Sequence, residues 1–593
     1  MQCCADVLIY PVKLAMDYER DSIVTPDLNS LKTIIAQAHG RNRADAVIKN
    51  VTIFNLISGN MQSGDIAVCG DRIVGVGERY DGECEIDGSG LTAVPGFIDA
   101  HVHVESTMVT PFEFERCIMP HGVTAAVCDP HELANTSGTA AIDFFLESAR
   151  RMCIDLFVQI SSCVPATDLE TSGASISAED IKKYIDEPYS LGLAELMNVP
   201  GVLGCSDAVL EKIVPFYGRI DGHAPLLSGR ELNAYLAAGV RNCHECSCLD
   251  EAYEKLSKGM HIFIREGSVA RDLDHLMPLI NLKNAQFLCF CSDDRNPLDI
   301  SEAGHLDKMI ARAIAGGADP LAVYRIACLS PAVHFGMKGR GLLAPGYKAD
   351  IVLLSDFNRC EVAKVFKNGR EVTAELFNLR SDPPSFAQFT NSMRRVPVTA
   401  ADFSYRSNGE ITPVIGIQEF SLITEHLELA LPCVDGMKVA CSDMDIAKVA
   451  VLERYGKNGN IGRAFVKGFG LKMGAIASSV GHDSHNLCVV GVSDEDMAVA
   501  VNALIASGGG FAVACNGGLT DIVPLPVGGI MSDMKFEDLT LALRRIHDSV
   551  KLTGCKLESP FLQLAFLPLP VIPFLRITDR GIVDVAEFRI ING

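Results

Sequence analysis

Residues 95–103 read PGFIDAHVH. A short apolar run leads into His101 and His103, which alternate along an extended strand and so point to one face. The design recurs: GRIDGHA carries His223, GVRNCHE carries His244 and FLCFCSDD carries Asp293, each an apolar run closed by an ionisable side chain. Between residues 95 and 335, candidate strands end near His103, Asp129, Cys163, Glu195, His223, His244, Glu266 and Asp293. Their spacing, roughly 20 to 35 residues, is that of one strand-plus-helix unit. Eight such units predict an α/β fold built on a (β/α)8 barrel, whose C-terminal rim would gather these polar ends.

Helix signals support the alternation. Thr110-Pro111 with Glu113 offers a cap, a favourable first residue and a capping-box partner, with Gly122 as the stop; Ser228, Glu231 and Gly239 repeat the device. Before the barrel, residues 46–94 hold short β-type runs between turn residues, which predicts a small antiparallel sheet. The same texture returns at 339–372, so the two segments are expected to pair into one β-sandwich beside the barrel. The domain reading is an N-terminal extension (1–45), the leading segment of the β-sandwich (46–94), the barrel (95–338), the returning segment of the sandwich (339–378) and a C-terminal α+β domain (379–593). In the last, Ser493 and Asp496 open a helix that stops at Gly508-Gly509-Gly510 before a buried strand at 511–515. Residues 561–575 are expected to be extended, because Pro568, Pro570 and Pro573 cannot sit inside a helix.

Composition narrows the function classes. The 593 residues carry 52 basic and 74 acidic side chains, a net charge of −22, with 48% hydrophobic and 21% charged residues. That describes a multidomain globular protein and disfavours nucleic acid or an anionic membrane surface as a general partner. The apolar run at 497–519 is broken by five Gly and two Asn, unlike a membrane span. The 21 Cys are scattered and the N-terminus lacks a signal-peptide pattern, so a cytoplasmic location with reduced thiols is expected and no catalytic cysteine is assigned.

His101 and His103 alone are compatible with a structural role. Together with His223, His244 and Asp293 they would crowd five polar groups into one cavity, which is costly without a cation. Five ligands exceed the need of one tetrahedral ion, so two ions with a bridging group are expected. Glu195, at the end of the fourth strand in GLAELMN, is the candidate bridge; the competing reading is a salt-bridged rim carboxylate. Glu105 extends the HVHVE alternation toward the same face, as a catalytic or substrate contact or a partner orienting a ligand histidine. His131 and Glu132 are candidate substrate contacts or groups that polarise a leaving group. Glu245 points opposite to His244 by alternation and reads as structural. The cluster His482, Asp483, His485 and Asn486 reads either as a turn or as a loop that folds over the barrel mouth, and the capping arrangement is the one predicted.

The PGFIDAHVH strand, the His223 and His244 strands, Asp293 and the return GLLAPGYKADIVLL at 341–354 resemble the amidohydrolase superfamily. More narrowly, HVHVEST, DPHELAN, LAELMNVPGV, DGHAP, HEC, CSDDR and GHDSHN, spread from Ala46 onward, are similar to the bacterial adenine deaminase family. The resemblance implies that His101, His103 and Asp293 hold one ion and His223 and His244 the other. Glu195 takes the bridging place that a carbamylated lysine fills in many relatives. It implies Mn²⁺ or Fe²⁺, with Zn²⁺ compatible with the same donors, and a hydrolase acting on the C–N bond of a cyclic amidine. Hydroxide attacks C6 of adenine to give hypoxanthine and ammonia, as in purine salvage. Asp293 is the expected base and Asp294, pointing the other way by alternation, a substrate contact with His482 and Asp483. The expected partner is the small molecule adenine, and the expected assembly is a homo-oligomer, a dimer. Two other readings stand beside it: a binuclear amidohydrolase acting on a cyclic amide or N-acyl amino acid, and a metal-binding scaffold without catalysis.

Overall fold

Eight short strands run parallel between residues 97 and 291: Phe97–Val102, Val123–Cys128, Asp155–Val158, Leu193–Leu196, Ile220–Gly222, Asn242–Cys243, His261–Arg265 and Leu288–Cys291. They belong to a computed structural model that describes residues 26–268, 270–390, 392–406, 409–419 and 421–591, so the first 25 residues of the N-terminal extension lie outside the described residues. The first strand pairs with the second and the second with the third. Ile160 and Leu193 carry the pairing to the fourth strand, which pairs with the fifth. Ile220 and Val240 lead on to the sixth, which joins the seventh and eighth. A parallel bridge from Asp293 to Val102 returns to the first strand, so the circuit closes on itself. Both faces of these strands are covered, which is why VTAAVC and LCFC are buried throughout and read as continuous apolar runs.

Seven expected strand ends fall close to the observed ones. The third strand stops at Val158 rather than near Cys163, because Gln159 turns inward to donate to Asp221 at 3.0 Å and Ser161 donates to Asp129 at 3.2 Å. Helix Pro111–Ile118 starts at its proline, and Gly122, at φ 87°, follows the short turn that extends it. Its capping box does not form: Glu113 pairs with Arg116 and accepts the Phe536 amide at 3.1 Å. Gly229–Ala237 also begins after its expected cap, Ser228, without a side-chain cap bond. Ser493 does cap Asp494–Ser507, accepting the Asp496 amide at 3.2 Å.

The flanking segments form one eight-stranded sheet, joined where Thr92–Pro95 pairs antiparallel with Ile351–Asp356. It is mixed rather than purely antiparallel. The hairpin of Met61–Cys69 and Arg72–Val76 adds on one side of Ala44–Phe54, so Gly82–Asp87 and Thr92–Pro95 return parallel to that strand on its other side. Helix Leu28–Ala38, capped by Asp27, lays Ile34 and Ala38 on this sheet.

A second eight-stranded sheet organises the C-terminal third, with helices Asp494–Ser507 and Phe536–Lys551 packed on its Gly510–Pro524 hairpin. The expected extended stretch at 561–575 is corrected at its start: Pro560–Phe566 is a helix with proline in its first turn. Pro568, Pro570 and Pro573 follow it, ending the helix rather than breaking it. Among the described residues no helix is long and apolar enough to cross a membrane.

Candidate metal centre and its cap

The bridge that closes the strand circuit also builds the centre of the site. His103 donates its amide to the Asp293 carbonyl and Asp293 donates its amide to the His101 carbonyl, at 3.3 and 3.0 Å. Asp293 takes a left-handed φ of 53°. Its Oδ1 thereby lies 3.5 Å from His101 Nε2 and 3.3 Å from His103 Nε2. The two imidazole Nε2 atoms are 3.1 Å apart. His103 Nδ1 is engaged with the Asp129 carbonyl at 3.1 Å, which turns Nε2 inward.

Glu195, from the fourth strand, divides its oxygens. Oε1 lies 3.3 Å from His103 Nε2, 3.4 Å from His131 Nδ1 and 3.9 Å from His101 Nε2. Oε2 lies 2.8 Å from His223 Nδ1 and 3.2 Å from His244 Nε2. Burial alone would raise the Glu195 carboxyl, yet the hydrogen bonds from His103, His223 and His244 hold it well below the usual carboxylate range. Asp293 is held low in the same way by His101, His103 and the charge of Arg265. His101 is pushed down to about 4 by burial and by the neighbouring His244 charge.

Such a set suits divalent cations. The ligand atoms of His101, His103 and Asp293 fall within 4.8 Å of one another, as do those of His101, Glu195 and His244 and those of His103, Asp129, His131 and Glu195. Imidazole with carboxylate among buried side chains is borderline-hard ligand chemistry.

The C-terminal third covers this centre. Leu422, His482, Asp483, Phe566, Leu569 and Ile572 face Glu195, His244 and Asp293 across one cavity. His482 stacks on Phe566 with ring centroids 4.5 Å apart, and its Nδ1 meets Glu132 Oε1. His485 Nε2 meets the other oxygen of Glu132.

Residues 92–372 match the amidohydrolase family and residues 421–589 match the adenine deaminase C-terminal domain. An adenine deaminase of Gluconobacter oxydans is 53% identical, over 93% of this chain and 98% of its own. Others, from Methylobacterium nodulans and Cereibacter sphaeroides, are each 52% identical and cover 94% and 95% of this chain and 99% of their own. The chain belongs to the adenine deaminase family.

Within this adenine deaminase family member, the side chains of His101, His103, Glu195, His223, His244 and Asp293 lie against one another. His482 and Asp483 line the same cavity, with Asp483 Oδ1 3.9 Å from His131 Nε2. His131 is oriented by Asp129 Oδ2 at 3.0 Å. Asp294 also faces the cavity, against the alternation argument, while accepting from Ser106 Oγ at 2.5 Å; burial and the Asp293 charge raise its carboxyl. Glu105 does not share the face of the two histidines. The strand stops at Val102 and Val104–Thr107 is a 3-10 turn, so Glu105 Oε1 instead accepts the Leu133 amide at 3.0 Å and anchors the helix bearing His131 and Glu132. Glu245 is corrected from structural to site residue, with Oε1 3.4 Å from His244 Nε2 and 3.7 Å from His223 Nδ1. Its strand ends at Cys243, where the two-residue period no longer applies.

Three participants escape a reading of the sequence. Asp129 is legible as a strand end but not as the anchor of His131. Arg265 is hidden behind Glu266, the expected strand end. Glu170, buried against Asp483 and Ser484, has a carboxyl raised well above its ordinary value by burial and the Asp483 charge, and no local pattern marks it.

Proposed function

We propose that this protein deaminates adenine, releasing hypoxanthine and ammonia, at the C-terminal rim of a (β/α)8 barrel formed by the closed strand circuit. The observation that carries the reading is the divided carboxylate of Glu195, one oxygen toward His101, His103 and His131 and the other toward His223 and His244. A carboxylate so placed is suited to lie between two cations. The names of the relatives supply the substrate.

His101, His103 and Asp293 would hold one divalent ion and His223 and His244 the other, with Glu195 between them. When bound, such ions, Mn²⁺ or Fe²⁺ by family resemblance, supply Lewis acidity that brings the pKa of water near neutrality. Asp293 is the proton acceptor: at Oδ1 it takes the two protons of the attacking water in turn, passing the first to the ring nitrogen and the second, from the hydroxyl now on C6, to the amine, which departs as ammonia. Phe566, Leu569 and Ile572 cover the base and exclude bulk water, while His131, Glu132, Asp294, His482 and Asp483 present polar atoms to its edges. A cytoplasmic homodimer is the expected form.

A hydrolysis screen tests the reading, with ammonia release followed for purines and pyrimidines and ring opening or free amino acid followed for cyclic amides and N-acyl amino acids. Adenine should give ammonia and hypoxanthine in equal amounts. Hydrolysis of a cyclic amide or an N-acyl amino acid, with none of adenine, would replace it with the amidase alternative.

A further inference from the structure

Arg265 closes the seventh strand and lies buried on the cavity wall. One guanidinium meets three carboxylates there. Its Nη1 is 3.2 Å from Asp293 Oδ2 and in contact with Glu245 Oε1, and its Nε is 3.2 Å from Asp272 Oδ2. Asp293 is therefore divided, with Oδ1 toward His101 and His103 and Oδ2 held by the arginine. Glu245 is divided in function too, because the oxygen that meets the guanidinium also lies 3.4 Å from His244 Nε2.

A fixed positive charge beside a site suited to cations is unfavourable in itself. Asp272, Glu245 and Asp293 together outweigh it, so the arginine adds orientation without making the site positive. The terminal torsion of an aspartate is broad and roughly two-fold, so a free carboxylate exchanges its two oxygens. A planar guanidinium that binds one of them stops the exchange, a constraint that the point charge of lysine imposes poorly.

We infer that Arg265 is a positioning residue that fixes Asp293 for proton transfer and holds Glu245 against the His223 and His244 pair. The inference rests on the reading of Asp293 as the proton acceptor. Arg265 acts through these two carboxylates, and its loss lowers kcat more than it changes KM.

The test compares wild type, Arg265→Ala and Arg265→Lys by adenine kinetics, metal content and crystallography of the metal-free proteins. Arg265→Ala should lose about 10- to 100-fold in kcat, as removal of a residue that orients a ligand typically does, with KM little changed. Guanidinium ion should restore some of that rate, and Arg265→Lys should fall between the two. In metal-free Arg265→Ala crystals the Asp293 carboxylate should be rotated or split between two orientations. An unmoved Asp293, or a kcat equal to wild type, overturns the inference, as does a loss that guanidinium cannot relieve in a folded variant. Wild-type protein inactive on adenine would refute the proposed function, and the orientation of Asp293 in the metal-free crystals would still decide the role of Arg265.

Discussion

His482 Nδ1 and Glu132 Oε1 form a hydrogen bond between residues 350 apart in sequence. Burial works against the charge on both, but each counteracts it in the other: His482 is pushed up to about 9 by Glu132, and Glu132 is held well below its ordinary value by His482 and His485. The tie is reinforced where the loop after the third strand is gripped by the C-terminal third. Thr171 donates its amide and hydroxyl to Asp579 at 2.8 and 2.7 Å, Asn486 donates to the Thr171 carbonyl at 2.9 Å, and Lys457 donates to the Ser172 carbonyl at 2.8 Å. The cap is thus bonded to the elements that carry the site.

His482→Ala should therefore reduce adenine turnover while the protein stays folded. Losing a buried bond to a charged partner costs on the order of 1.5–3 kcal/mol, which denaturant titration will read as a lower unfolding midpoint. Wild-type kinetics in this variant would separate the cap from catalysis.

Glu195→Gln should keep the fold and lose one of two bound ions, since a neutral amide is a weak bridge between cations. Elemental analysis checks it: two ions per chain with normal turnover would show that Glu195 is not the bridge.

Asp293→Asn should lower kcat by about 10²–10⁴, the usual worth of general acid–base catalysis, with adenine still bound. Asp294→Asn should be milder, since its carboxylate accepts from Ser106 rather than facing the paired histidines. The reverse order would move the proton-transfer role to Asp294.

Acid should weaken the fold through His334. Burial, then the charge of His261, lowers it from 6.5 to about 3, while Asn242 engages its Nε2 at 3.1 Å. The unfolded chain binds this proton near pH 6.5 and the folded chain does not, so stability present above pH 6.5 is lost as pH falls toward 3. The urea midpoint should drop between pH 7 and pH 5, and His334→Asn should flatten that drop. A slope identical in the variant would assign the loss to other groups.

The legible portion of the site is the portion that obeys local geometry. His101 and His103 alternate within and just past a strand, and His223, His244 and Asp293 sit just past strand ends, so apolar runs locate them. Errors cluster one step further along the chain. A two-residue period misplaces Glu105, Glu245 and Asp294, because it ends when the strands stop at Val102, Cys243 and Cys291. The contact of Glu132 with His485 joins residues 353 apart. Nothing local encodes it, because it depends on how the C-terminal third seats on the strand circuit. The prolines after Phe566 mislead in another way: proline stops a helix from running through it but leaves the residues before it free to form one.

We propose that the divided Glu195 serves a two-ion centre that deaminates adenine. Its most direct measurement is adenine deamination against bound metal, in protein stripped by a chelator and titrated with Mn²⁺ or Fe²⁺. The stripped protein should be inactive, and activity should rise to a plateau at two ions per chain, with hypoxanthine and ammonia formed in equal amounts. Full activity in the metal-free protein, or a plateau reached at one ion, would rule out a two-ion centre bridged by Glu195.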